Sequence, residues 1–298
     1  MKKIVFASMK GGTGKTSTSV TCATMLAAIG KKVLFIDCDE QCNASTDVGM
    51  HPLHLPADRN CMYLFQDTFS SIGPYILKDV IPELPNFDLI CSHYSMSSVE
   101  RLLTVRATES MIRNNGIDEN DIYAEARTLG RNLEKCADEI SGYDYLIFDT
   151  KPSVSYVNEN VYACADSMVY VTDATYNGLL GLNSLRNFWE SVAENIGVSL
   201  EYKEAIILNR YRKGNNVDET IRAVLNGTDL SALGDPDLED MLSYCEDLFI
   251  DIPIKDTTRM KYRSYIQKPL VIDTESADGE VYNQYANLVA KMLEGGIF

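Results

Sequence analysis

The sequence predicts an α/β protein with a doubly wound, mostly parallel sheet and helices on both faces. Strand-like runs alternate with segments of helical periodicity along all 298 residues. Several of the runs are unbroken stretches of β-branched or aromatic residues, which is typical of strands that are buried on both faces. A hydrophobic content of 45% is enough to fill one core, so we expect residues 1–298 to form a single domain.

The order of the elements follows from the apolar runs and from the residues that end them. Strands are predicted near residues 3–8, 33–37, 87–91, 144–149, 168–172, 205–209, 249–252 and 270–272. The first helix is expected over residues 15–29, because Gly30 then stands at its C-cap position. A second clear helix, 178–195, carries a leucine-rich apolar face. Two polar stretches with turn signals, near 105–126 and 226–240, are predicted to be surface insertions.

The chain is acidic, with 27 Lys and Arg against 43 Asp and Glu and a formal net charge of −16. Such a chain repels phosphate backbones on average, so binding to DNA requires a local basic patch. No apolar run approaches the ~18–20 residues of a membrane span, and the early start of the first strand leaves no room for a signal peptide. Eight cysteines without tight pairing patterns favour a reducing cytoplasm.

The most informative segment, residues 10–16, reads KGGTGKT and directly follows an apolar run. A buried strand that leads into a glycine-rich turn lets backbone N–H groups point at a phosphate, and the following helix adds its partial positive end. Lys15 then reaches the β- and γ-phosphates of a nucleotide, and the hydroxyl of Thr16 is placed to ligate Mg²⁺. The predicted nucleotide-binding residues here are Gly11, Gly12, Thr13, Gly14, Lys15, Thr16 and Ser17.

This segment departs from the usual phosphate loop, because Met9 replaces its first glycine and Lys10 adds a second lysine. The lysine-first variant resembles the deviant Walker A motif of the ParA/MinD family of dimeric ATPases. Residues 37–45, DCDEQCNAS, are similar to the D-x-D-x-Q-x-N-A-[ST] switch of that family, and residues 149–153, DTKPS, to its Walker B segment, D-x-P-P-[ST]. The resemblance extends over nearly the whole chain and is strongest to ParA (Soj-like) partition ATPases that lack an N-terminal helix-turn-helix domain.

Three carboxylates are candidate site residues. Asp149 follows four apolar residues and therefore ends a buried strand at the carboxyl edge of the sheet, where it can hold Mg²⁺ through water. The resemblance implies that Asp39 activates the attacking water and that Asp37 supports the metal shell. It also implies that Lys10 reaches the nucleotide of a second copy of the chain, which links ATP binding to homodimer formation. Lys10, Lys15 and Asp39 are then the expected catalytic residues.

Asn209 ends a predicted strand and matches an asparagine that reads the adenine edge in the family. The alternative interpretation is that Asn209 is a plain turn residue at the end of the strand. The chain departs from the family motifs where Lys151 and Glu40 replace a usual proline and where Cys42 replaces a usual glycine. Lys151 either adds positive charge beside the phosphates or points to solvent. For Cys38 and Cys42, which flank the switch carboxylate, ordinary packing is favoured over a metal or iron–sulfur role.

The segment 255–268 favours DNA as a partner. It carries five cations and one acid, namely Lys255, Arg259, Lys261, Arg263 and Lys268 against Asp256. Tyr262 and Tyr265 lie between these cations, in a region where relatives place DNA-contacting residues. A solvated basic loop is the alternative interpretation of the same composition.

The sequence therefore predicts a Mg²⁺- and ATP-dependent ATPase that is slow until a partner stimulates it. We expect a homodimer on ATP binding, sequence-independent binding to double-stranded DNA, and action with a ParB-like centromere-binding protein in plasmid or chromosome partition. The protein would then be cytoplasmic and nucleoid-associated. The alternative is a MinD-like or other ATPase that positions a membrane or protein cargo. A membrane role is disfavoured, because the last helix has Lys291 as its only cation.

Overall fold

In a computed structural model, a parallel sheet forms the centre of the molecule. The structure describes residues 1–54, 57–113, 124–199, 201–229, 234, 239, 242–273 and 279–298. The strands found there are β1 (Lys2–Ala7), β2 (Val33–Asp37), β3 (Phe87–Ile90), β4 (Tyr145–Asp149), β5 (Ser167–Asp173) and β6 (Lys203–Asn209). Within the described residues they form one sheet in the order β3-β2-β4-β1-β5-β6, and all neighbours are parallel.

Helices connect the strands and cover the sheet. In chain order the described helices are α1 (Lys15–Ala28), α2 (Asn43–Asp47), α3 (Met96–Arg113), α4 (Thr128–Lys135), α5 (Ala137–Ile140), α6 (Tyr156–Tyr162), α7 (Tyr176–Ile196), α8 (Asn216–Leu225), α9 (Cys245–Leu248), α10 (Thr258–Ile266) and α11 (Gly279–Glu294). The predicted first helix is confirmed, because Ile29 caps α1 and Gly30 follows with a φ of 89°. The predicted helix 178–195 lies within α7.

Two hydrophobic layers enclose the sheet, which confirms the doubly wound arrangement. Alternate side chains of a strand point to opposite faces. On β1, Ile4 and Phe6 pack in the layer that contains α1 and α11, whereas Val5 and Ala7 pack in the layer that contains α3, α6 and α7. The central strands are thus buried on both faces, as their continuous apolar runs predict.

The carboxyl ends of the strands bring polar residues together at one edge of the sheet. Asp37 ends β2 and pairs in register with Asp149, which ends β4. Asp173 ends β5 and pairs with Asn209, which ends β6. The loops that follow these strands open on the same edge, where doubly wound sheets bind their ligands.

The predicted strand at 249–252 is wrong. This segment runs beside β6, but Phe249 forms only an isolated bridge with Ile206, and the Ile250 N–H donates to the Ile206 carbonyl at 3.0 Å. The Ile252 N–H turns back to the Ile250 carbonyl at 2.6 Å, and pairing with β6 resumes only where the Ile254 N–H donates to the Leu208 carbonyl at 2.8 Å. The segment therefore forms no regular ladder.

The predicted strand at 270–272 is also wrong. The segment forms a turn in which the Ile272 N–H donates to the Pro269 carbonyl at 3.2 Å. Leu270 is buried in the layer that contains α1, so this apolar run fills the core without pairing to a neighbouring strand.

The two predicted surface insertions, 105–126 and 226–240, fall partly outside the described residues. In the first, residues 105–113 continue α3 as its last turns. In the second, Gly227 follows the end of α8 with a φ of 67°, so a turn begins there.

The loop after β2 contains an L-residue in the left-handed region of backbone space. Cys42 has φ 55° and ψ 27° immediately before α2, and its thiol donates to the Glu40 carbonyl at 3.4 Å. Glycine adopts this conformation freely, whereas a Cβ atom costs about 1–2 kcal/mol. This backbone geometry explains why the motif that the chain resembles usually has glycine at the position of Cys42.

We therefore expect Cys42→Gly to be more stable than Cys42→Ala by about 0.5–1 kcal/mol. Glycine escapes the penalty of the left-handed region, and its larger loss of chain entropy on folding offsets part of that gain. Urea unfolding of both variants measures the difference. Ala44→Gly in α2 is the matched control, and right-handed backbone there should make glycine destabilising by about 1 kcal/mol. Equal stability of the two Cys42 variants would contradict the proposed backbone strain.

Candidate active site

A cleft of about 480 Å³ opens at the carboxyl edge of the sheet. The loop between β1 and α1, the loop after β2 and the residues after β6 form its walls. Of the predicted site residues, its lining contains Lys10, Gly11, Gly12, Thr13, Gly14, Lys15, Thr16, Ser17, Asp39, Asn209 and Lys255. Asp37 and Asp149 are fully buried and do not line it.

The loop between β1 and α1 has a backbone shape that suits an anion. Gly12 and Gly14 have φ values of 82° and 84°, which L-residues rarely adopt. A Cβ atom on Gly14 would also collide with the side-chain amide of Asn209. The first N–H groups of α1, which begin at Lys15 beside the cleft, have no partners within the helix. The loop can therefore hold a phosphate group.

A buried ion pair joins this loop to the end of β4. The Lys15 Nζ lies 2.7 Å from Asp149 Oδ1, and both side chains are almost inaccessible to water. The Thr16 hydroxyl donates to Asp149 Oδ2 at 2.8 Å, and the Ser19 hydroxyl donates to Oδ1 at 3.0 Å. Removing one partner of such a pair costs about 3–5 kcal/mol, because the other charge is left buried and alone.

Asp37 adds a second buried carboxylate beside this pair. The Ser45 backbone N–H and hydroxyl donate to Asp37 Oδ2 at 2.9 and 2.7 Å. Burial, and then repulsion from Asp149, raises the pKa of Asp37 to about 7. The site thus holds two neighbouring acids against Lys15, and this surplus of negative charge favours a cation.

The oxygen donors of Thr16, Asp37 and Asp149 fit the preference of Mg²⁺ for hydroxyl and carboxylate ligands. Among the described residues, no group of three or more His, Cys, Asp or Glu side chains could hold a metal ion by itself. A Mg²⁺ ion here would therefore complete its coordination with nucleotide phosphates and water, as is usual for this metal.

Asp39 lies in the wall of the cleft, in the loop after β2. Its Oδ1 accepts a hydrogen bond from the Gln41 N–H at 2.9 Å. Burial raises the pKa of Asp39, although Lys15 opposes the shift. A carboxylate in this position, with its proton affinity raised, suits a residue that orients or deprotonates water.

Lys10 is held by residues that the sequence analysis did not identify. Its Nζ lies 2.6 and 2.9 Å from the two carboxylate oxygens of Asp173 and 2.9 Å from the Thr175 hydroxyl. Asp173 ends β5 at the carboxyl edge of the sheet. That placement, an acid directly after an apolar strand, is the sequence signal that could have found it.

The side-chain amide of Asn209 braces the phosphate loop. Its Nδ2 donates to the Thr13 carbonyl at 2.9 Å and to the Thr18 hydroxyl at 3.3 Å, and its Oδ1 accepts from the Arg210 N–H. Both hydrogens of Nδ2 are used in these bonds, whereas Oδ1 retains a second lone pair that could accept from an adenine amino group. Arg210, which the sequence analysis missed, donates from Nη1 to the Gly12 carbonyl at 2.6 Å.

The side chain of Lys151 lies neither beside the phosphate site nor in solvent, the two alternatives left open by the sequence. Its Nζ lies 3.2 Å from Glu100 Oε2 and 3.9 Å from Glu40 Oε2. The side chain is 15% exposed, so it does not extend into solvent. The wall of the cleft at this point is formed by Pro152, so the ammonium group does not face the phosphate site.

Most of the predicted basic segment forms α10, which packs on α2. The side chains of three of its cations lie outside the described residues, namely Arg259, Lys261 and Arg263. Lys255 lies 2.5 Å from Glu280, and Lys268 is exposed beyond the helix. The exposed rings of Tyr262 and Tyr265 stack with their centroids 5.8 Å apart.

The cysteines beside the switch carboxylate are packed thiols. Cys38 and Cys42 are buried and free. A hydrogen bond with the Cys61 thiol, together with burial, holds the pKa of Cys38 well above its usual range. Both observations agree with the packing role that the sequence analysis favours. In the part of the chain that the structure describes, no helix has the length and apolar character that crossing a membrane requires.

Comparison with known proteins identifies the family. A family model described as an AAA domain matches residues 1–202. The chain is 29% identical over 291 residues to the sporulation initiation inhibitor protein Soj of Bacillus subtilis, and the alignment covers 97% of this chain and 98% of Soj. It is 25% identical over 290 residues to the chromosome partitioning protein ParA of Caulobacter vibrioides, and that alignment covers 97% of this chain and 94% of ParA.

The fold agrees with these matches. The structure of an ATP complex of McdA from Cyanothece superimposes with a TM-score of 0.72 at 20% identity, and the alignment covers 99% of this chain and 96% of that one. The family model covers more than half of the chain and both relatives cover nearly all of it, so the protein belongs to the ParA/MinD-type family of P-loop ATPases.

Proposed function

We propose that this protein is a Mg²⁺-dependent ATPase that dimerises on ATP binding and drives plasmid or chromosome partition on DNA. The observation that carries the proposal is the position of the two lysines of the phosphate loop. Lys15 lies inside the loop on Asp149, and Lys10 lies at the edge of the same cleft on Asp173. One lysine is therefore placed for the phosphates of its own subunit, and the other can be released toward a second subunit.

Binding of ATP would exchange the partner of Lys15. The phosphates offer Lys15 a stronger anion than Asp149 does, and the N–H groups of the loop and of α1 add to this attraction. Asp149 would then lose its lysine in a fully buried position. Asp149 and Asp37 would hold a Mg²⁺ ion, whose charge would compensate the two carboxylates and polarise the phosphates. Nucleotide and metal binding are thus coupled through one buried carboxylate.

Hydrolysis would depend on Asp39 and on Lys10 from the partner subunit. Asp39 orients the attacking water, and a lysine that arrives from outside stabilises the charge on the transferring phosphate. Each site is incomplete in the monomer, because the monomer holds its own Lys10 on Asp173 and Thr175. Slow turnover that a partner stimulates agrees with a site that needs assembly.

The relative from Caulobacter vibrioides supports partition as the biological task, since its name describes a chromosome partitioning protein. A ParB-like centromere-binding protein would then be the stimulating partner, and the ATP-bound dimer would coat nucleoid DNA in the cytoplasm.

The proposed DNA contacts are those of the basic segment, chiefly Arg259, Lys261 and Arg263, with Lys255 and Lys268 at its margins. Two observations support them. The segment is strongly basic in a chain of net charge −16, and α10 packs on α2, the helix that follows the Asp39 loop. A change in that loop on ATP binding can therefore reach α10. Two copies of the segment in a dimer would double the number of phosphate contacts.

For nucleotide binding, we expect Lys15→Ala to abolish measurable ATP affinity, because the phosphates lose the lysine that neutralises them. Calorimetry with Mg²⁺ and ATP measures this loss. Lys32→Ala, at the opposite edge of the sheet where β2 begins, is the control and should bind normally. Because Lys15→Ala leaves Asp149 unpaired, Lys15→Ala with Asp149→Asn is the second variant, and it should melt at a higher temperature than Lys15→Ala. Normal ATP affinity in Lys15→Ala refutes the phosphate-loop assignment.

For dimerisation, Asp173→Asn and Lys10→Ala should act in opposite directions. Asp173→Asn weakens the hold on Lys10 and should lower the dimer dissociation constant about fivefold with a non-hydrolysable ATP analogue, which corresponds to about 1 kcal/mol. Lys10→Ala should remain monomeric with the analogue, because it lacks the group that crosses the interface. Sedimentation velocity distinguishes the two states. If the wild-type protein and both variants dimerise equally, Lys10 does not act across an interface.

For DNA, we expect sequence-independent binding to duplex that requires ATP. With about five phosphates neutralised per dimer, log affinity should fall against log salt with a slope of roughly −4 to −5. Fluorescence anisotropy on random duplex, with and without ATP, provides the measurement. Arg259→Glu with Arg263→Glu should remove binding but keep ATP-driven dimerisation, whereas Lys31→Glu with Lys32→Glu should change it little. Absence of binding with ATP at low salt would instead favour the positioning of a protein cargo.

A further inference from the structure

Two departures from the family motifs face each other in this structure. Glu40 directly follows Asp39 in the loop after β2, and Lys151 stands two residues after Asp149 in the loop after β4. The motifs that the chain resembles usually have proline at both positions. Here the two side chains carry opposite charges, and Lys151 Nζ lies 3.9 Å from Glu40 Oε2.

A third residue connects this pair to the surrounding helices. Glu100 of α3 lies 3.2 Å from Lys151 Nζ through its Oε2, and its Oε1 accepts a hydrogen bond from the Tyr156 N–H at 2.8 Å. That N–H begins α6, so Glu100 also compensates the positive end of a helix. We call Glu40, Lys151 and Glu100 the Lys151 cluster. It links the two loops to α3 and α6.

The cluster replaces a restraint that the chain has lost. Proline fixes φ, and neither Glu40 nor Lys151 supplies that restraint to its loop. The roots of the loops are joined by the Cys38 N–H, which donates to the Asp149 carbonyl at 2.9 Å. Farther out, the Lys151 cluster joins them through side chains. Because Lys151 is 15% exposed, these ion pairs are screened less than pairs on an open surface.

We propose that Lys151 is a positioning residue that holds the Asp39 loop in register with the loop after β4. This inference rests on the proposed ATPase function. Lys151 does not line the cleft, so it acts on the orientation of Asp39 and not on nucleotide affinity. Loss of the cluster should lower kcat and leave KM for ATP unchanged, because water is then positioned less accurately.

A double-mutant cycle tests the proposal. Lys151→Met and Glu40→Gln should each lower kcat about threefold to fivefold at constant KM, and the double variant should be no slower than Lys151→Met alone, because both changes break the same contact. Lys151→Arg keeps the charge and should retain most of the rate. Calorimetric ATP affinity should be the same in all variants. The matched control is Lys291→Met with Glu294→Gln, an exposed pair on α11, which should leave kcat unchanged.

Three results would overturn the inference. Multiplicative losses in the double variant would show that Glu40 and Lys151 act independently, and a raised KM would show that Lys151 contacts nucleotide. Lower melting temperatures with an unchanged kcat would show a purely structural role. If Lys151→Met fails to fold, Glu40→Gln and Lys151→Arg decide the matter by the same kcat and KM readouts. A wild-type chain that binds no ATP would contradict the proposed function as well, whereas multiplicative losses in an active chain contradict the Lys151 cluster alone.

Discussion

The buried ion pair between Lys15 and Asp149 is the interaction on which the site depends. It forms because β4, which ends at Asp149, pairs with β1, and the loop after β1 leads to Lys15. On its other side β4 pairs with β2, which brings Asp37 to the same level of the sheet. Asp37 and Asp149 are fully buried there. Burial, and then repulsion from Asp149, raises the pKa of Asp37, and Lys15 is the one cation among the described residues that pairs with either acid. The protein without ligand is therefore already arranged around a deficit of positive charge, which is the property that a site for a metal–nucleotide complex needs.

The same principle connects the other loops at this edge. Each of three lysines that follow a strand pairs with an acid from a distant part of the chain: Lys15 with Asp149, Lys10 with Asp173, and Lys151 with Glu40 and Glu100. An anionic ligand in the cleft would compete with Asp149 for Lys15, so its binding would change contacts between loops that are distant in sequence.

The fold was predictable to the extent that local patterns decide it. The six observed strands were anticipated, because continuous apolar runs that end in a polar residue are typical of buried parallel strands. Local patterns do not decide the two segments that were wrongly predicted to be strands. Phe249 and Ile250 lie beside β6, but the Ile252 N–H turns back to the Ile250 carbonyl and interrupts the ladder, and Leu270 fills the core from a turn. An apolar run requires burial, and burial does not require a strand.

The sequence by itself determined the phosphate loop, because its glycines, Lys15 and the start of α1 are contiguous and their geometry is local. The resemblance of the three motifs extended this to the carboxylates. Only the tertiary structure decided the partners of the charged residues, since Asp173 is 163 positions from Lys10 and Asp149 is 134 positions from Lys15. The packing of parallel strands brings these side chains together in space. No pattern along the chain encodes which side chains meet at the edge of the sheet.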